Sequence, residues 1–272
     1  MQVHELKCFG LHPGQGNAAL VVQGGHAARA ERQAFATEQG KHACVFVDAC
    51  DDGQAEFLLD YFYPHARSPL CMHATLGAAS VLFARQPAYA PIRVRTAMRG
   101  QYLTLSRNAD GMFIGLAPQA FMPPALAPGL PEALLDAPGI ALASAPLVAS
   151  VGSAKLLIEV ENSARLHALK PNLGLIAKWS AASGVSGCYV YCRTGQDEYE
   201  GRNFNHLVPA LEDSATGVAA GALTAHLQRG LTLFQGKATG QSCMIRTRLD
   251  GDAILIGGAA ELIVSYAQES TG

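Results

Sequence analysis

The sequence predicts an α+β protein built from two similar domains, each a curled β-sheet around one apolar central helix. Three observations carry this. Runs rich in β-branched residues alternate with helical runs along the chain. A proline-rich segment interrupts them near the middle, and beyond it the same order of elements returns. At 272 residues the chain is long enough for two medium domains with cores of their own.

In order, "ALVVQGG" reads as a strand running into a turn, and the Ala-rich amphipathic run from His26 to Gln39 reads as a helix. The β-branched "CVFVDAC" and then "EFLLDYFYP" read as strands. "TLGAASVLFAR", from Thr75 to Arg85, reads as a second helix, followed by strands at "IRVRTAM", "QYLTLSR" and "MFIGLAP". Between Pro118 and Gly139 stand six prolines and two glycines, a composition that breaks helices and resists sheets and is read as a linker. Beyond it come a strand "KLLIEV", a helix from Asn162 to Ser183, a β run "GCYVYCR", a helix "TGVAAGALTAHLQ" and terminal strands. The boundaries predicted are 1–118 for the first domain, 119–140 for the linker and 141–261 for the second domain, with a strand at about 262–272 packing back on the first.

The recurrence is specific. "ATLGAASVLFA" from Ala74 matches "ATGVAAGALTA" from Ala215 at an offset of 141 residues. "GNAALVV" from Gly16 answers "GSAKLLIEV" from Gly152, and "ACVFVDAC" answers "GCYVYCR". A helix this rich in small apolar residues belongs inside, where other backbone packs closely around it. If the halves face each other, two helix N-termini converge on one cleft, and their free N–H groups suit a carboxylate.

Composition narrows the function. With 49% hydrophobic and 15% charged residues and a formal net charge of −2, no strong field favours nucleic acid or anionic lipid, so a small neutral or anionic ligand is expected. The longest apolar runs are too short to span a bilayer and "MQVHELKCFG" is no export signal, so the protein is expected to be soluble and cytoplasmic, with no membrane partner. Seven cysteines, at 8, 44, 50, 71, 188, 192 and 243, include no C-x-x-C pair. This favours reduced thiols over a disulfide framework or zinc site, and no metal is expected. "GQGN", which contains Asn17, is neither a dinucleotide fingerprint nor a Walker loop. Trp179, in "NLGLIAKWSAASG", reads as core.

The chemistry concentrates at the helix entrances. In "LCMHATLG", Cys71 lies just before a helix whose dipole would favour a thiolate, with His73 two residues on; the alternative is a small buried residue. His73 reads either as a proton carrier or as a structural imidazole. Asp213, in "EDSATG", reads as a helix cap, a site carboxylate, or both. Thr216 is a poor base unless strongly activated.

These segments, "GQGNAALVV", "MHATLGAA", "GVSGCYVYCR", "LEDSATGVAAGAL" and "GDAILIGGAAELI", resemble in order and spacing the PhzF-like phenazine-biosynthesis family, which shares its duplicated fold with diaminopimelate epimerase and proline racemase. "EDSATGVAAG" is close to that family's E-D-P-A-T-G-S-A-A-G, and "MHATLG" stands where it has G-H-P-T-L-G. The resemblance implies two diaminopimelate epimerase-like domains, a site between them, no cofactor, a homodimer, and proton shuttling beside a carboxylate. It makes His73 and Asp213 site residues and places Cys71 where the epimerases and racemases carry one of two catalytic cysteines, with Thr216 at the second. It also implies substrate contacts from Asn17, Met72, Ala74, Thr75, Gly217, Val218, Gly240, Gln241 and Ser242. Two departures matter. His42, in "QGKHACVFV", stands where the family has its acid/base glutamate, and Val218 replaces a serine. A histidine there would still move protons near neutral pH, though a lone histidine before a strand is as readily a surface residue.

The expected function is that of a cofactor-independent isomerase acting by proton abstraction and return on a small amino or hydroxy carboxylate. The alternatives are an epimerase, racemase or hydroxyproline-type dehydratase using Cys71 and Thr216, and a non-catalytic binding protein that has lost the glutamate.

Overall fold

The structure, a computed structural model, describes residues 1–25, 27–41, 43–85, 90–117, 121–207 and 211–268. It divides into two compact units, Met1–Leu116 with Gly257–Gly272, and Ala117–Ile256. Both are α+β, with a long curled sheet and few helices.

In the first unit, β1 (Gln2–Phe9) runs antiparallel to β2 (Gly16–Gln23) on one side and to the C-terminal strand Ala260–Ala267 on the other. Helix α1 (Arg29–Gln39) crosses from β2 to its parallel neighbour β3 (Ala43–Ala49). The sheet continues through β4 (Phe57–Tyr63), which pairs antiparallel with β3 and with the short β5 (Ala66–Ser68). Helix α2 (Met72–Phe83) then leads to β6 (Ile92–Thr96), parallel to β4, and to the meander of β7 (Tyr102–Asn108) and β8 (Gly111–Leu116). Alternation divides the side chains of the sheet. Val3, Leu20, Val22, Cys44, Phe46 and Phe62 pack outward against Phe35 and Ala36 of α1. The opposite face, with Leu6, Cys8 and Val21, meets α2 around Gly77. Every residue of α2 except Ser80 is buried, and each of Leu76, Leu82 and Phe83 contributes roughly 1.5–3 kcal/mol by leaving water.

The second unit repeats the pattern. After α3 (Leu130–Leu135) and β9 (Leu147–Ala149), β10 (Lys155–Glu159) pairs antiparallel with β9 and parallel with β11 (Cys188–Arg193). Helices α4 (Ser163–Ala168) and α5 (Leu173–Ser183) fill the crossover. β12 (Glu198–Phe204) pairs antiparallel with β11 and with β13 (Glu212–Asp213); α6 (Gly217–Leu227) follows, then β14 (Thr232–Gln235), parallel to β12, and its antiparallel partner β15 (Cys243–Asp250). β16 (Ala253–Gly258) ends this run. The sequence of parallel and antiparallel pairings from β2 to β7 is thus reproduced from β10 to β15, with α6 in the place of α2. The small residues of α6 have a steric reason: a Cβ on Gly221 would lie 2.7 Å from Ile256 Cδ1 and 2.8 Å from Val151 Cγ2.

Local differences from the sequence reading have physical causes. The helix expected from Asn162 to Ser183 is two helices, because Pro171 interrupts it and Asn162 and Asn172 each cap a new start, accepting from the N–H of Arg165 and of Leu175 at 2.9 Å. The proline-rich segment contains a helix, α3, with Pro131 in its first turn, where a missing N–H costs nothing, and Gly129 in the left-handed region before it. Helix α2 starts at Met72 rather than Thr75, which makes Cys71 its N-cap. The helix expected from His26 begins at Arg29; His26 itself lies outside the described residues. Among the described residues no helix is long and apolar enough to cross a membrane.

Candidate active site

Each central helix opens at a residue whose place is fixed by the sheet beneath it. In the first unit Val45, Tyr61 and Ser68 stand opposite one another across β3, β4 and β5, so they share a face, and Cys71 follows three residues after Ser68. In the second unit Tyr189, Asn203 and Asp213 make the corresponding row across β11, β12 and β13, and Thr216 follows three residues after Asp213. Cys71 and Thr216 are therefore equivalent positions, the N-caps of α2 and α6.

At the α2 entrance Cys71 is extended, with φ −141° and ψ 106°, and its thiol does not cap the helix. The backbone is pinned instead by Thr75, whose N–H and hydroxyl both donate to the Cys71 carbonyl, at 2.9 and 2.8 Å, and whose hydroxyl bonds the Tyr61 hydroxyl at 2.8 Å. Thr75 is fully buried, so its hydroxyl is part of the scaffold. The Cys71 sulfur lies 3.5 Å from both Nδ1 and Nε2 of His73, which brings an imidazole proton close to it in either tautomer. Both residues are buried, as are Met72 and Ala74. Two further thiols lie near Cys71. Burial, reinforced by Cys71, pushes the Cys8 thiol far above its usual range and that of Cys44 up to about 12. Both stay protonated, and Cys71 is the thiol of this group that sits at the positive end of a helix. Asn17 is buried on β2 opposite Cys8. The adjacent "GQGN" glycine is required by conformation and space: Gly16 has φ +105°, and a Cβ there would fall 2.4 Å from the Cys8 carbonyl oxygen.

At the α6 entrance the Thr216 hydroxyl donates to Asp213 Oδ2 at 2.5 Å. Gln235, on β14, accepts from the Thr216 N–H at 3.2 Å and donates to the Asp213 carbonyl at 2.6 Å. Ser214 bonds the Thr239 hydroxyl at 2.7 Å, which ties this entrance to the loop of Gly240, Gln241 and Ser242; the Gln241 N–H in turn donates to Gly236 O at 3.0 Å. Gly217 is buried and Val218 partly so. The neighbouring Glu212 is structural: it receives Arg202 bidentately at 2.9 and 2.7 Å, and the same guanidinium donates to the carbonyls of Leu166 and Leu169 at 3.0 Å.

Of the residues singled out from sequence, the structure gathers Cys71 with His73 and Thr75, and Asp213 with Thr216 and the Gly240–Ser242 loop. His42 lies outside the described residues. Among the described residues no group of three or more His, Cys, Asp or Glu side chains is arranged to hold a metal ion. Sequence reasoning missed Gln235 and the polar residues beneath α6, namely Lys155, Tyr189 and Asn203. The visible signal was a lysine inside the otherwise apolar "AKLLI".

A family model described as "Phenazine biosynthesis-like protein" matches residues 6–265. The chain is 28% identical over 293 residues to an uncharacterized isomerase, YddE, of Escherichia coli O157:H7, covering 96% of both chains. Among solved structures it is similar to the PhzF-family phenazine biosynthesis protein of Bacillus anthracis, with a TM-score of 0.81 and 21% identity over 98% of each chain. It is also similar to a hydroxyproline epimerase of Agrobacterium vitis solved with trans-4-hydroxy-L-proline bound, with a TM-score of 0.60 and 12% identity over 98% of this chain and 91% of that one.

Proposed function

The chain belongs to the phenazine biosynthesis-like (PhzF) family, and from that premise we propose that it is a cofactor-independent isomerase acting by proton abstraction and return on a small amino or hydroxy carboxylate. The observation that carries this is the buried Cys71 thiol at the N-cap of α2, 3.5 Å from the His73 ring. As a thiolate it takes the proton from the carbon beside the substrate carboxylate, His73 holds or relays the proton, and free helix N–H groups stabilise the enolate-like intermediate. At the α6 entrance Asp213 and Thr216 offer a further polar pair. Supporting the reading, relatives are named isomerases and a protein of the same fold was solved with an imino acid bound.

A second reading, an epimerase or dehydratase with Cys71 and Thr216 as its pair, is favoured by their equivalent positions. It is weakened by the Thr216 hydroxyl, which already donates to Asp213 and so is not poised as a second base. For assembly we propose a homodimer. The C-terminal strand supports it, since Leu262, Ile263, Val264 and Tyr266 are exposed along it.

The test is solvent deuterium incorporation at the α-carbon across a panel of amino and hydroxy acids that includes trans-4-hydroxy-L-proline, with wild type and Cys71→Ala. Exchange by wild type that the variant loses supports the thiol mechanism. Exchange that survives Cys71→Ala excludes it, and no exchange on the whole panel favours a binding protein.

A further inference from the structure

Beneath the α6 entrance lies a buried lysine that the chemistry above leaves unused. Lys155 opens β10 and is 3% exposed, and its ammonium donates to the Ser186 carbonyl. Its direction follows from the ladder. Leu157 is paired with Tyr189 across β10 and β11, and Lys155 lies two residues before Leu157, so Lys155 projects from the same face as Tyr189, Asn203 and Asp213. The other face of these strands, with Leu156, Ile158, Cys188 and Val190, packs on Leu134, Leu166 and Ile176.

This face is polar where its counterpart is not. In the first unit the equivalent of Lys155 is Ala19, and the equivalent row is closed, with Tyr61 bonded to Thr75 and Ser68 to the Leu70 carbonyl. In the second unit the Tyr189 hydroxyl and Asn203 Oδ1 are buried and find no hydrogen-bond partner among the described residues, nor does His206 Nδ1. A buried ammonium without a counter-charge is costly, and a half-satisfied polar layer is worse than an apolar one. Such a layer persists where its charge has a use.

We propose that Lys155 is a positioning residue of the α6 entrance: its buried ammonium is the counter-charge that holds the Asp213 carboxylate, and through it the Thr216 hydroxyl, in place for the substrate. This rests on the reading of the α6 entrance as part of the catalytic machinery. On the face of Lys155 lie the Asp213 carboxylate from β13, Tyr189 from β11 and the His206 imidazole, while the Cys188 thiol lies on the opposite face of β11. Burial lowers the Lys155 ammonium to about 8, while the Asp213 charge acts in the opposite sense. Burial, reinforced by Lys155, lowers His206 to about 4 and keeps it neutral.

The test is NMR titration of the lysine side chains in the full chain, with Lys155 assigned as the resonance missing from Lys155→Met and from Lys155→Arg. Lys155 is expected to titrate near pH 8, apart from the surface lysines, and to move to lower pH in Asp213→Asn, which removes the charge that favours the ammonium. A Lys155 unmoved by Asp213→Asn in a protein whose circular dichroism is native overturns the proposal. With any acid that exchanges deuterium, Lys155→Met is expected to lower kcat by about 10²-fold with KM little changed, and Lys155→Arg to restore part of it; a change in KM alone overturns the positioning role. The titration stands whether or not an exchanging acid is found, so failure of the isomerase reading and failure of this one are distinguishable.

Discussion

The ion pair beside the site offers a quantitative check on how Asp213 is held. Glu212 and Asp213 form β13, and the pair's side chains are only 16% exposed on Glu212 and 9% on Arg202. Glu212→Gln keeps the shape but leaves one neutral acceptor where two charge-assisted bonds of 2.9 and 2.7 Å stood. One such bond is lost, at about 1.5–3 kcal/mol, and the other weakened, so the cost is about 3 kcal/mol, at the lower end for a broken buried pair. That is about a hundredfold in the unfolding equilibrium. Arg202→Met is expected to cost more, because the guanidinium also serves the Leu166 and Leu169 carbonyls. Urea unfolding followed by circular dichroism measures both, and the double variant Arg202→Met/Glu212→Met should be less damaged than the sum of its singles, since no charge is left stranded. A Glu212→Gln cost under about 0.5 kcal/mol, or strict additivity of the singles, would refute the claim that this pair anchors β13.

Further outcomes follow from the same structure. Iodoacetamide at about pH 7 should label Cys71 faster than an ordinary thiol once it is reached, while Cys8 and Cys44 stay unlabelled in native protein; mass spectrometry of the tryptic peptides reads this, and protection by a carboxylate ligand should accompany it. The same substitution should act differently in the two central helices. Gly221→Ala forces a methyl within 2.8 Å of Val151 and should cost about 1–2 kcal/mol net, whereas Gly77→Ala meets Val21 at 3.3 Å and should be near neutral by thermal denaturation, since alanine gains about 1 kcal/mol of helix propensity in both. His206 is half-buried and neutral, with its proton affinity lowered by burial to about 4 from 6.5, so the unfolded chain binds the proton more readily. Stability is therefore expected to fall as pH drops from 6.5 toward 4, and His206→Gln should flatten that part of the profile. Leu262→Lys with Val264→Lys should leave a folded monomer by sedimentation velocity if the C-terminal strand forms the dimer contact.

How much of this was legible in the sequence depended on which signals are local. The central helices and the duplication were, because runs of small apolar residues such as "TLGAASVLF" and "TGVAAGALT" have few homes except the interior. The entrances were legible too, since Cys71, His73, Asp213 and Thr216 stand beside those helices in the chain. Position alone could not tell Thr75 from a substrate contact; its hydroxyl is consumed by Cys71 and Tyr61, a pairing made only when β4 lies under α2. Lys155 and Tyr189 were harder still. Their common face follows from a parallel register between strands separated by two helices, and no spacing in the sequence contains that register. The two Asn caps that split the long helix were visible as residues, but as caps only once Pro171 is seen to break the run.

Duplication explains why the two entrances differ in chemistry while agreeing in geometry. A repeated scaffold fixes four equivalent positions in each half: the N-cap, the residue three before it, the centre of the row, and the start of the crossover strand. One half fills them with Cys71, Ser68, Tyr61 and Ala19; the other fills them with Thr216, Asp213, Asn203 and Lys155. The first set is neutral, closed by hydrogen bonds, and leaves a thiol as its reactive atom. The second carries a buried cation, a carboxylate and unsatisfied polar atoms. A reaction that removes a proton from one face of a carbon and returns one to the opposite face needs a base on each face, whereas moving a proton between unlike positions suits groups of different proton affinity. The unlike chemistry of the two entrances is of the second kind, and for that reason isomerisation is proposed here ahead of racemisation.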